Sequence, residues 1–346
     1  MWLFVTLLVF ETLSTIKKRN DIQKSDAIAN LISIRKVSEA FHDDLWTVPW
    51  NEYKPNSEVK VVHNGETYET KINNHGFRGN NFLDRKNNKN LKYIVCLGGS
   101  STVAGKNNST TYAAYLENTI RNRNDNFRVI KAGVAGTTTG NYKEILSRIP
   151  KSIDVQYVII HNAINDIVWY LMPKWIDEQN QIQKLLLKSN FINYYFGDLF
   201  TPSDKLIRKN LRGAILSNIN TLANELEKKD IQVFITSFIY PNLKDSDKND
   251  AQRLNLNLRY QWNSSNPDYI SSHISLNKYC QIIDYYNQEI QNVFAESKTT
   301  FLPLNKSIQL RLDEFKDICH LEQSGIRKKG ITIAVLFLDS LSKHRN

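Results

Sequence analysis

Five short apolar runs rich in β-branched residues alternate with helical patterns along most of the chain. The apolar runs lie at 92–97, 127–132, 155–161, 231–237 and 299–304, and the helical patterns near 109–124, 141–149, 213–229, 276–296 and 321–343. Strands that alternate with helices favour right-handed crossovers and a parallel sheet covered on both faces. The sequence therefore predicts an α/β fold, a three-layer α/β/α sandwich around a five-stranded parallel sheet.

The first apolar run leads directly into Gly98, Gly99 and Ser100. Glycine lets the backbone turn tightly and approach a substrate closely, so this pattern can hold a serine hydroxyl at the mouth of a sheet. Taken alone, the same pattern fits a phosphate-binding turn or an ordinary turn, although the lysine of a Walker motif does not follow. Ser100 is thus a candidate nucleophile that needs a base.

Asp317 and His320 can supply that base just before the C-terminal helical pattern. Three residues apart on a turn, they share a face, and the carboxylate can orient an imidazole that deprotonates Ser100. An isolated Asp-x-x-His pattern is usually a surface feature or a helix cap. Its joint occurrence with the Gly-Gly-Ser turn indicates a serine hydrolase.

Two further segments follow predicted strands and can complete an oxyanion hole. Gly136 lies in the glycine-rich stretch after the second apolar run, and Asn165 follows the third run. Backbone N–H groups and amide side chains stabilise a developing oxyanion. Because the carboxyl ends of parallel strands meet at one edge, we expect the Ser100 and Gly136 N–H groups and the Asn165 amide to converge there.

These segments, in this order, resemble the four motif blocks of the SGNH (GDSL-like) hydrolase family, over roughly residues 70–343. The sequence departs from the usual family pattern at Gly99, where many members have aspartate, and at Ala163, where glycine is common. The stretch 74–79, Asn-His-Gly-Phe-Arg-Gly, resembles a segment found ahead of the first block in many bacterial members.

The resemblance implies a flavodoxin-like fold of the SGNH hydrolase type and a serine esterase that works through an acyl-enzyme without a cofactor. Acyl esters, above all acetyl esters on glycans, are the implied substrates. One alternative is an O-acyltransferase, because the same acyl-enzyme can pass its group to a sugar hydroxyl. A non-catalytic carbohydrate-binding protein is a third class, disfavoured because every catalytic position is filled.

Three aromatic residues follow the third block: Trp169, Tyr170 and Trp175. Trp169 and Tyr170 are candidate substrate-binding residues, because aromatic rings stack on sugars; core packing is the alternative for all three.

The chain divides into three regions. Residues 1–16 are an apolar N-terminal segment, residues 17–70 an irregular extension, and residues 71–346 the hydrolase-like domain, with a surface insertion near 241–275 rich in Asn, Asp, Lys and Ser. Such long insertions often shape substrate access.

The net charge of +10 does not indicate nucleic-acid binding. Lysine and arginine are scattered among asparagine and aspartate, and no basic helix or aromatic-basic pattern occurs, so a solvated surface accounts for them. The partner expected here is a small-molecule or glycan ester.

The cysteines number three, and Cys96 lies within a predicted buried strand, which favours a reduced apolar role over a disulfide framework. No Cys/His cluster has metal-ligand spacing, so no metal is expected, and His161 beside the third block is interpreted as a turn or core residue.

The N-terminus allows two localisations. Residues 1–10 are nearly all apolar, but Glu11 interrupts the run and Lys17, Lys18 and Arg19 follow. The run is short for a bilayer span and lacks the features of a signal peptide. A shortened membrane anchor with an extracytoplasmic catalytic domain is favoured; the basic cluster points the other way, to a cytoplasmic protein.

Overall fold

The computed structural model describes residues 6, 8–21, 23, 46–47, 52–63, 66–83, 90–243, 248–258 and 274–343. Four short strands precede the main sheet: β1 (Trp46–Thr47), β2 (Glu52–Tyr53), β3 (Glu58–His63) and β4 (Glu66–Lys71). β1 pairs antiparallel with β2, and β3 with β4. The region 17–70, expected to be irregular, therefore contains an antiparallel pair with alternating residues such as Val59, Val61 and Tyr68; residues 24–45 and 48–51 lie outside the described part.

Five parallel strands form the central sheet: β5 (Lys92–Gly98), β6 (Phe127–Gly133), β7 (Val155–His161), β8 (Gln232–Thr236) and β9 (Thr300–Leu302). Their order across the sheet is β6-β5-β7-β8-β9, and every neighbouring pair is parallel. All five predicted runs are strands. The last is shorter than predicted because Pro303 cannot donate to the ladder and the chain turns into a short helix there.

The helices connect and cover these strands. Residues 8–21 form α1; the others are α2 (Ser100–Val103), α3 (Tyr112–Arg121), α4 (Tyr142–Ser147), α5 (Met172–Asp177), α6 (Gln181–Leu187), α7 (Asn190–Phe196), α8 (Asp204–Asn210), α9 (Ser217–Glu227), α10 (Lys248–Leu256), α11 (Leu276–Phe294), α12 (Leu304–Ser307) and α13 (Gln323–Lys343). Two π-helical stretches, Asp166–Leu171 and Leu211–Leu216, precede α5 and α9.

Helices lie on both sides of the sheet. α3 packs along α13 in one layer, while α9 and α11 contact the Leu211–Leu216 stretch, β8 and β9. Phe337 of α13 shows how the first layer is attached. Its ring lies 4.9 Å from the Phe234 ring and 5.3 Å from the Tyr157 ring, centroid to centroid. The predicted three-layer α/β/α sandwich is confirmed.

Glycine is required where helices approach the backbone of neighbouring elements. A Cβ on Gly98 would lie 2.3 Å from the His161 carbonyl oxygen, so only glycine lets β5 turn into α2 there. A Cβ on Gly330 would lie 2.4 Å from the Tyr112 carbonyl oxygen. Gly330 therefore lets α13 touch the backbone of α3, which brings its neighbour Lys329 into the interior.

The insertion near 241–275 contributes α10, which packs against the turn at Leu312–Glu314. Residues 244–247 and 259–273 lie outside the described part.

In the described part of the chain, no helix combines the length and the apolar character needed to cross a bilayer.

Candidate active site

Ser100 begins α2 at the carboxyl end of the buried strand β5. The turn is held by its own backbone, since the Thr102 N–H donates to the Gly99 carbonyl over 2.9 Å and the Val103 N–H to the same oxygen over 3.2 Å. The Ser100 residue is only 8% exposed. A serine at the first position of a short helix presents its own N–H as one of the donors that the helix leaves unpaired.

Asn165 connects the first three motif segments. Its Nδ2 donates to the Thr137 carbonyl over 2.7 Å, directly after Gly136, and the side chain is buried. A Cβ on Gly99 would lie 2.6 Å from the same Nδ2. Gly136 has φ +75°, a left-handed conformation that favours glycine. The chain segments of Ser100, Gly136 and Asn165 thus meet at the carboxyl edge of the sheet, while their role as an oxyanion hole stays a prediction.

Asp166, next to Asn165, was not among the predicted site residues. Its carboxylate accepts from the Thr139 N–H over 3.1 Å and from the Thr139 hydroxyl over 2.8 Å. Burial raises the pKa of Asp166 to about 6, although the hydrogen bonds from Thr139 act in the opposite direction. Asp166 therefore fixes the loop after Gly136 to the segment that carries Asn165.

Asp317 and His320 form a hydrogen-bonded pair in the turn before α13. His320 Nδ1 lies 2.6 Å from Asp317 Oδ2, and the other carboxylate oxygen accepts from the backbone N–H groups of Cys319 (2.9 Å) and His320 (2.7 Å). Burial acts to raise the pKa of Asp317, but His320 and the two backbone N–H groups outweigh it and hold the pKa below its usual value. The carboxylate is therefore ionised at neutral pH.

An ionised Asp317 sets the tautomer of its partner. Because a carboxylate only accepts, His320 Nδ1 must carry the proton of this hydrogen bond. Nε2 is then the nitrogen that can take a proton from a nucleophile.

The one group of side chains in the described part with metal-ligand spacing is Asp317, Cys319 and His320, whose ligand atoms lie within 4.8 Å of one another. Burial raises the pKa of the Cys319 thiol well above its usual value, so the thiol stays protonated and is a poor ligand. Asp317 and His320 are already hydrogen-bonded to each other. We therefore interpret the group as an Asp–His pair with a neighbouring thiol; the expectation of no metal stays a prediction.

The turn that carries Asp317 and His320 is fixed by side chains that sequence reasoning missed. Arg253 of α10 donates to the carbonyls of Phe315 (2.8 Å), Lys316 (2.9 Å) and Leu312 (3.1 Å). Tyr279 of α11 donates to the Ile318 carbonyl over 3.2 Å. The surface insertion thus holds the turn of Asp317 and His320 through Arg253, and no local sequence signal links Arg253 to that turn.

Replacing Arg253 by methionine is expected to lower kcat by roughly tenfold to a hundredfold, because a shift of about 1 Å in a catalytic group can cost that much. The KM of a small aryl ester should change much less. Steady-state kinetics on both parameters check this. Lys248→Met, at the start of the same helix, is the matched control; equal losses in both variants would contradict the role of Arg253.

Arg78, in the stretch 74–79 that resembles a family segment, supports the other half of the site. Its buried guanidinium donates to the carbonyls of Val103 (2.6 Å) and Gly105 (2.9 Å). Val103 is the last residue of α2, and Gly105 lies in the loop that follows it. Arg78 therefore holds the chain that leaves the Ser100 turn.

The side chains of the remaining predicted aromatic, histidine and cysteine residues are described for some of them and not for others. Trp169 and Tyr170 lie in the π-helical stretch, but their side chains are outside the described part, so their substrate-binding role stays a prediction. Trp175 is buried, in line with core packing. His161 is buried, with Nδ1 2.7 Å from the Thr236 hydroxyl and its ring stacked on Phe238, so it is a core residue. All three cysteines are free and buried.

Asn165→Asp is expected to lower both activity and stability. The aspartate would replace a donor by a carboxylate oxygen that faces the Thr137 carbonyl at about the 2.7 Å that Nδ2 now occupies. Turnover should fall at least roughly a hundredfold, because an oxyanion donor is lost and a negative charge is added. Kinetics and thermal unfolding together check this; unchanged turnover would remove Asn165 from the site.

Neither a protein-family model nor a curated protein sequence matches the chain. Solved structures do. Est24, a carbohydrate acetylesterase from Sinorhizobium meliloti, is 13% identical at a TM-score of 0.39, over 72% of this chain and 99% of that one. A GDSL-like lipase from Bacteroides thetaiotaomicron is 14% identical at a TM-score of 0.36, over 74% of this chain and 90% of that one. The acetyl xylan esterase AlAXEase is 14% identical at a TM-score of 0.37, over 72% and 98%.

These likenesses are distant, and the fold is assigned from the direction and order of the five strands. The five parallel strands lie in the order 2-1-3-4-5, which is that of a flavodoxin-like α/β fold. Within this fold, the first three motif segments lie together at the carboxyl edge of the sheet, and the fourth forms an Asp–His pair.

Proposed function

We propose that the protein is a serine esterase that cleaves acyl esters, in particular acetyl esters, through an acyl-enzyme. The observation that carries the proposal is the Asp317–His320 pair, 2.6 Å between Nδ1 and Oδ2, with the carboxylate held by two backbone N–H groups. An Asp–His pair of this geometry leaves Nε2 ready to activate a hydroxyl nucleophile.

Ser100 is the nucleophile of this mechanism. His320 Nε2 takes its proton as Oγ attacks the ester carbonyl, and Asp317 stabilises the imidazolium that forms. The protonated His320 then gives its proton to the leaving alkoxide. His320 Nε2 next takes a proton from water as the water oxygen attacks the acyl-serine carbonyl. It returns this proton to Ser100 Oγ as the acid leaves.

The oxyanion is held by the backbone N–H groups of Ser100 and Gly136 and by the Asn165 amide. An amide nitrogen has two donors, and one N–H of Asn165 is used on the Thr137 carbonyl. The second N–H of Asn165 donates to the oxyanion, and the hydrogen bond of the first N–H to Thr137 fixes the direction in which the second points. One such donor contributes about 2.7–4 kcal/mol to transition-state stabilisation.

A polar cleft supports a glycan as the larger part of the substrate. The cleft has a volume of about 1010 Å³ and lies beyond the carboxyl ends of β8 and β9, with Asn242, Asn305 and Gln309 among its lining residues. Amides recognise sugar hydroxyls, whereas a long acyl chain needs an apolar groove. Ser100, Asp317 and His320 do not line this cleft; its lining residue nearest to them in the sequence is Asp313, four residues before Asp317.

A purified sample tests the proposal with aryl esters of increasing chain length and with acetylated xylo-oligosaccharides. We expect turnover of acetyl esters, falling as the acyl chain lengthens. No turnover of any ester would contradict the proposal. Mass spectrometry of reactions that contain a non-acetylated sugar decides the alternative: acetyl transfer to the sugar in preference to water identifies an O-acyltransferase.

A further inference from the structure

The helix α1 packs with its polar side inward. Glu11 accepts from the Ser189 hydroxyl (2.6 Å) and the Asn190 N–H (2.7 Å), and so caps the start of α7. Lys18 and Thr15 bond the Asn190 side chain, each over 3.0 Å. The acidic residue that interrupts the apolar N-terminal run is therefore used to attach α1 to the domain.

The opposite side of α1 is apolar and faces outward. Val9, Leu13 and Ile16 are 50–56% exposed. An amphipathic helix in water turns its apolar side to the core, so this orientation is the reverse of the usual one. Such a reversal is expected when the medium beyond the helix is itself apolar.

Neighbouring elements extend the apolar side. Ile182 and Leu185 of α6 and Leu199 after α7 are 67–77% exposed. Of fifteen exposed large apolar residues in the described part, eleven belong to α1, α6, α7 and residues 197–200. We call these elements the α1–α6–α7 surface. An exposed apolar concentration of this kind marks an interaction site.

Basic residues belong to the same elements. They include Arg19 of α1, Lys184 of α6 and Lys188, the C-cap of α6. Lys17 pairs with Asp21 over 3.4 Å but its side chain is still 41% exposed, whereas Lys18 is used on Asn190. Apolar side chains flanked by lysine and arginine match the interface of a bilayer with anionic headgroups. The sequence before α1, Met1 to Val5, is apolar as well.

We propose that the α1–α6–α7 surface binds an anionic lipid bilayer, with α1 lying in the headgroup region instead of crossing the membrane. The polar bonds of Glu11, Thr15 and Lys18 keep α1 on the domain, and its apolar side enters the lipid. The extracytoplasmic location of the catalytic site stays a separate prediction.

Vesicle flotation tests this with the full chain and vesicles of phosphatidylcholine with or without phosphatidylglycerol. We expect binding to the anionic vesicles, weakened by salt, and a loss of at least about tenfold in the double variant Leu13→Asp, Ile16→Asp. Leu83→Asp, at an exposed leucine outside the surface, is the control and should bind like wild type.

Binding that survives in the double variant, or its absence in wild type, would overturn the proposal. Light scattering without lipid measures the oligomeric state and so tests the competing occupant, a second copy of this chain. A wild-type dimer that becomes a monomer in the double variant would assign the surface to that second copy.

A second, independent feature is the lysine behind the nucleophile turn. Lys329 of α13 is 3% exposed, and in the described part it forms no ion pair with a carboxylate. Its Nζ donates to the Ser101 carbonyl over 2.9 Å and lies 4.4 Å from the centroid of the Tyr112 ring. Within the described part, the contacts of this buried ammonium are a carbonyl and a ring, and burying a charge with no carboxylate partner there is costly, which calls for a functional reason.

The Ser101 carbonyl leads to the oxyanion hole through two peptide groups. It shares a peptide unit with the Thr102 N–H, which donates to the Gly99 carbonyl over 2.9 Å. The Gly99 carbonyl in turn shares a peptide unit with the Ser100 N–H. Chains of hydrogen bonds polarise one another, so a positive charge at Lys329 strengthens the Ser100 N–H as a donor.

We propose that Lys329 is a positioning residue for ester cleavage, whose charge polarises the Ser100 N–H through the Ser101 and Gly99 carbonyls. This rests on the proposed function, in which that N–H holds the oxyanion.

Among Lys329 and the titratable groups that face it, Lys329 is the one whose pKa lies near neutral pH. Burial lowers the pKa of Lys329 to about 7. Burial raises the pKa of Cys96 to about 12 and the pKa values of Cys319 and Tyr112 well above their usual range. Burial lowers the pKa of His161 well below its usual value, so His161 is neutral. The charge of Lys329 is therefore present below pH 7 and lost as the pH rises.

The pH dependence of kcat on an aryl acetate separates this role from simple packing. We expect wild-type kcat to decline above roughly pH 7, and Lys329→Met to lower kcat about tenfold at pH 6.5 and abolish the decline, with KM little changed. Lys329→Arg keeps its charge and should show no decline either. Arg327→Met, at an exposed position two residues earlier in α13 and outside the polar cleft, is the control.

A decline that persists in both Lys329 variants, each checked by circular dichroism for folding, would overturn the proposal. Failure of the proposed function gives a different result: either the wild type turns over no ester at all, or Ser100→Ala turns over ester like wild type.

Discussion

Ser100→Ala is expected to reduce ester turnover by about 10⁴-fold or more while the melting temperature stays near that of wild type. The variant lacks the oxygen that forms the acyl-enzyme, and the residual rate comes from binding and the oxyanion hole alone. Stability should hold because the backbone bonds of Thr102 and Val103 to Gly99, rather than the Ser100 side chain, maintain the turn. Kinetics, thermal unfolding and intact-mass detection of a trapped acyl-enzyme measure this.

Ser101→Ala is the matched control for that variant. The Ser101 hydroxyl is buried and has no hydrogen-bond partner in the described part of the chain, so its removal should leave turnover unchanged. If Ser101→Ala were inactive and Ser100→Ala active, Ser101 would be the nucleophile.

Asp317→Asn is expected to lower kcat by about 10³ to 10⁴-fold, through the tautomer of His320. Asparagine can still accept from the backbone N–H groups of Cys319 and His320. Its Nδ2, however, would donate to His320 Nδ1, which moves the imidazole proton to Nε2 and removes the base. Asp317→Ala should be milder, because it leaves the tautomer free. A smaller loss in Asn than in Ala would contradict this account.

The same substitution has a signature in the pH dependence of stability. The pKa of Asp317 is held low in the folded state, so its ionisation stabilises the fold above the ordinary carboxyl pKa, and that stabilisation is lost as the pH falls below about 4. Asp317→Asn should lack this part of the acid-induced loss. Chemical denaturation at pH 7 and at pH 3.5, on both proteins, measures the difference.

The sheet could be predicted from the sequence because its strands are largely apolar and each has buried residues. Residues 94–97 of β5, for example, are fully buried. The hairpin β3–β4 was missed because strands such as Glu58–His63 alternate charged and apolar residues and lie outside the α/β pattern. Periodicity over six residues is a weak signal on its own.

The candidate site was predictable only where chemistry is local. The Asp317–His320 pair follows from a spacing of three residues, and Ser100 from the glycines before it. Asp166, Arg78 and Arg253 act on carbonyls or loops far away in the sequence, and hydrogen bonds to carbonyls impose no residue type on the acceptor. Such contacts therefore produce no sequence pattern from which they could be predicted.

The hydrogen bonds from Arg253 to the turn of Asp317 and His320 have a consequence for how proteins of this architecture could diversify. Surface insertions are usually free to vary in length and sequence, which allows substrate preference to drift without loss of rate. Here the insertion that borders the polar cleft also holds the turn that carries the proposed general base. Altered selectivity through this loop would thus come with an altered turnover number, and grafting experiments must transfer α10 together with its acceptor turn.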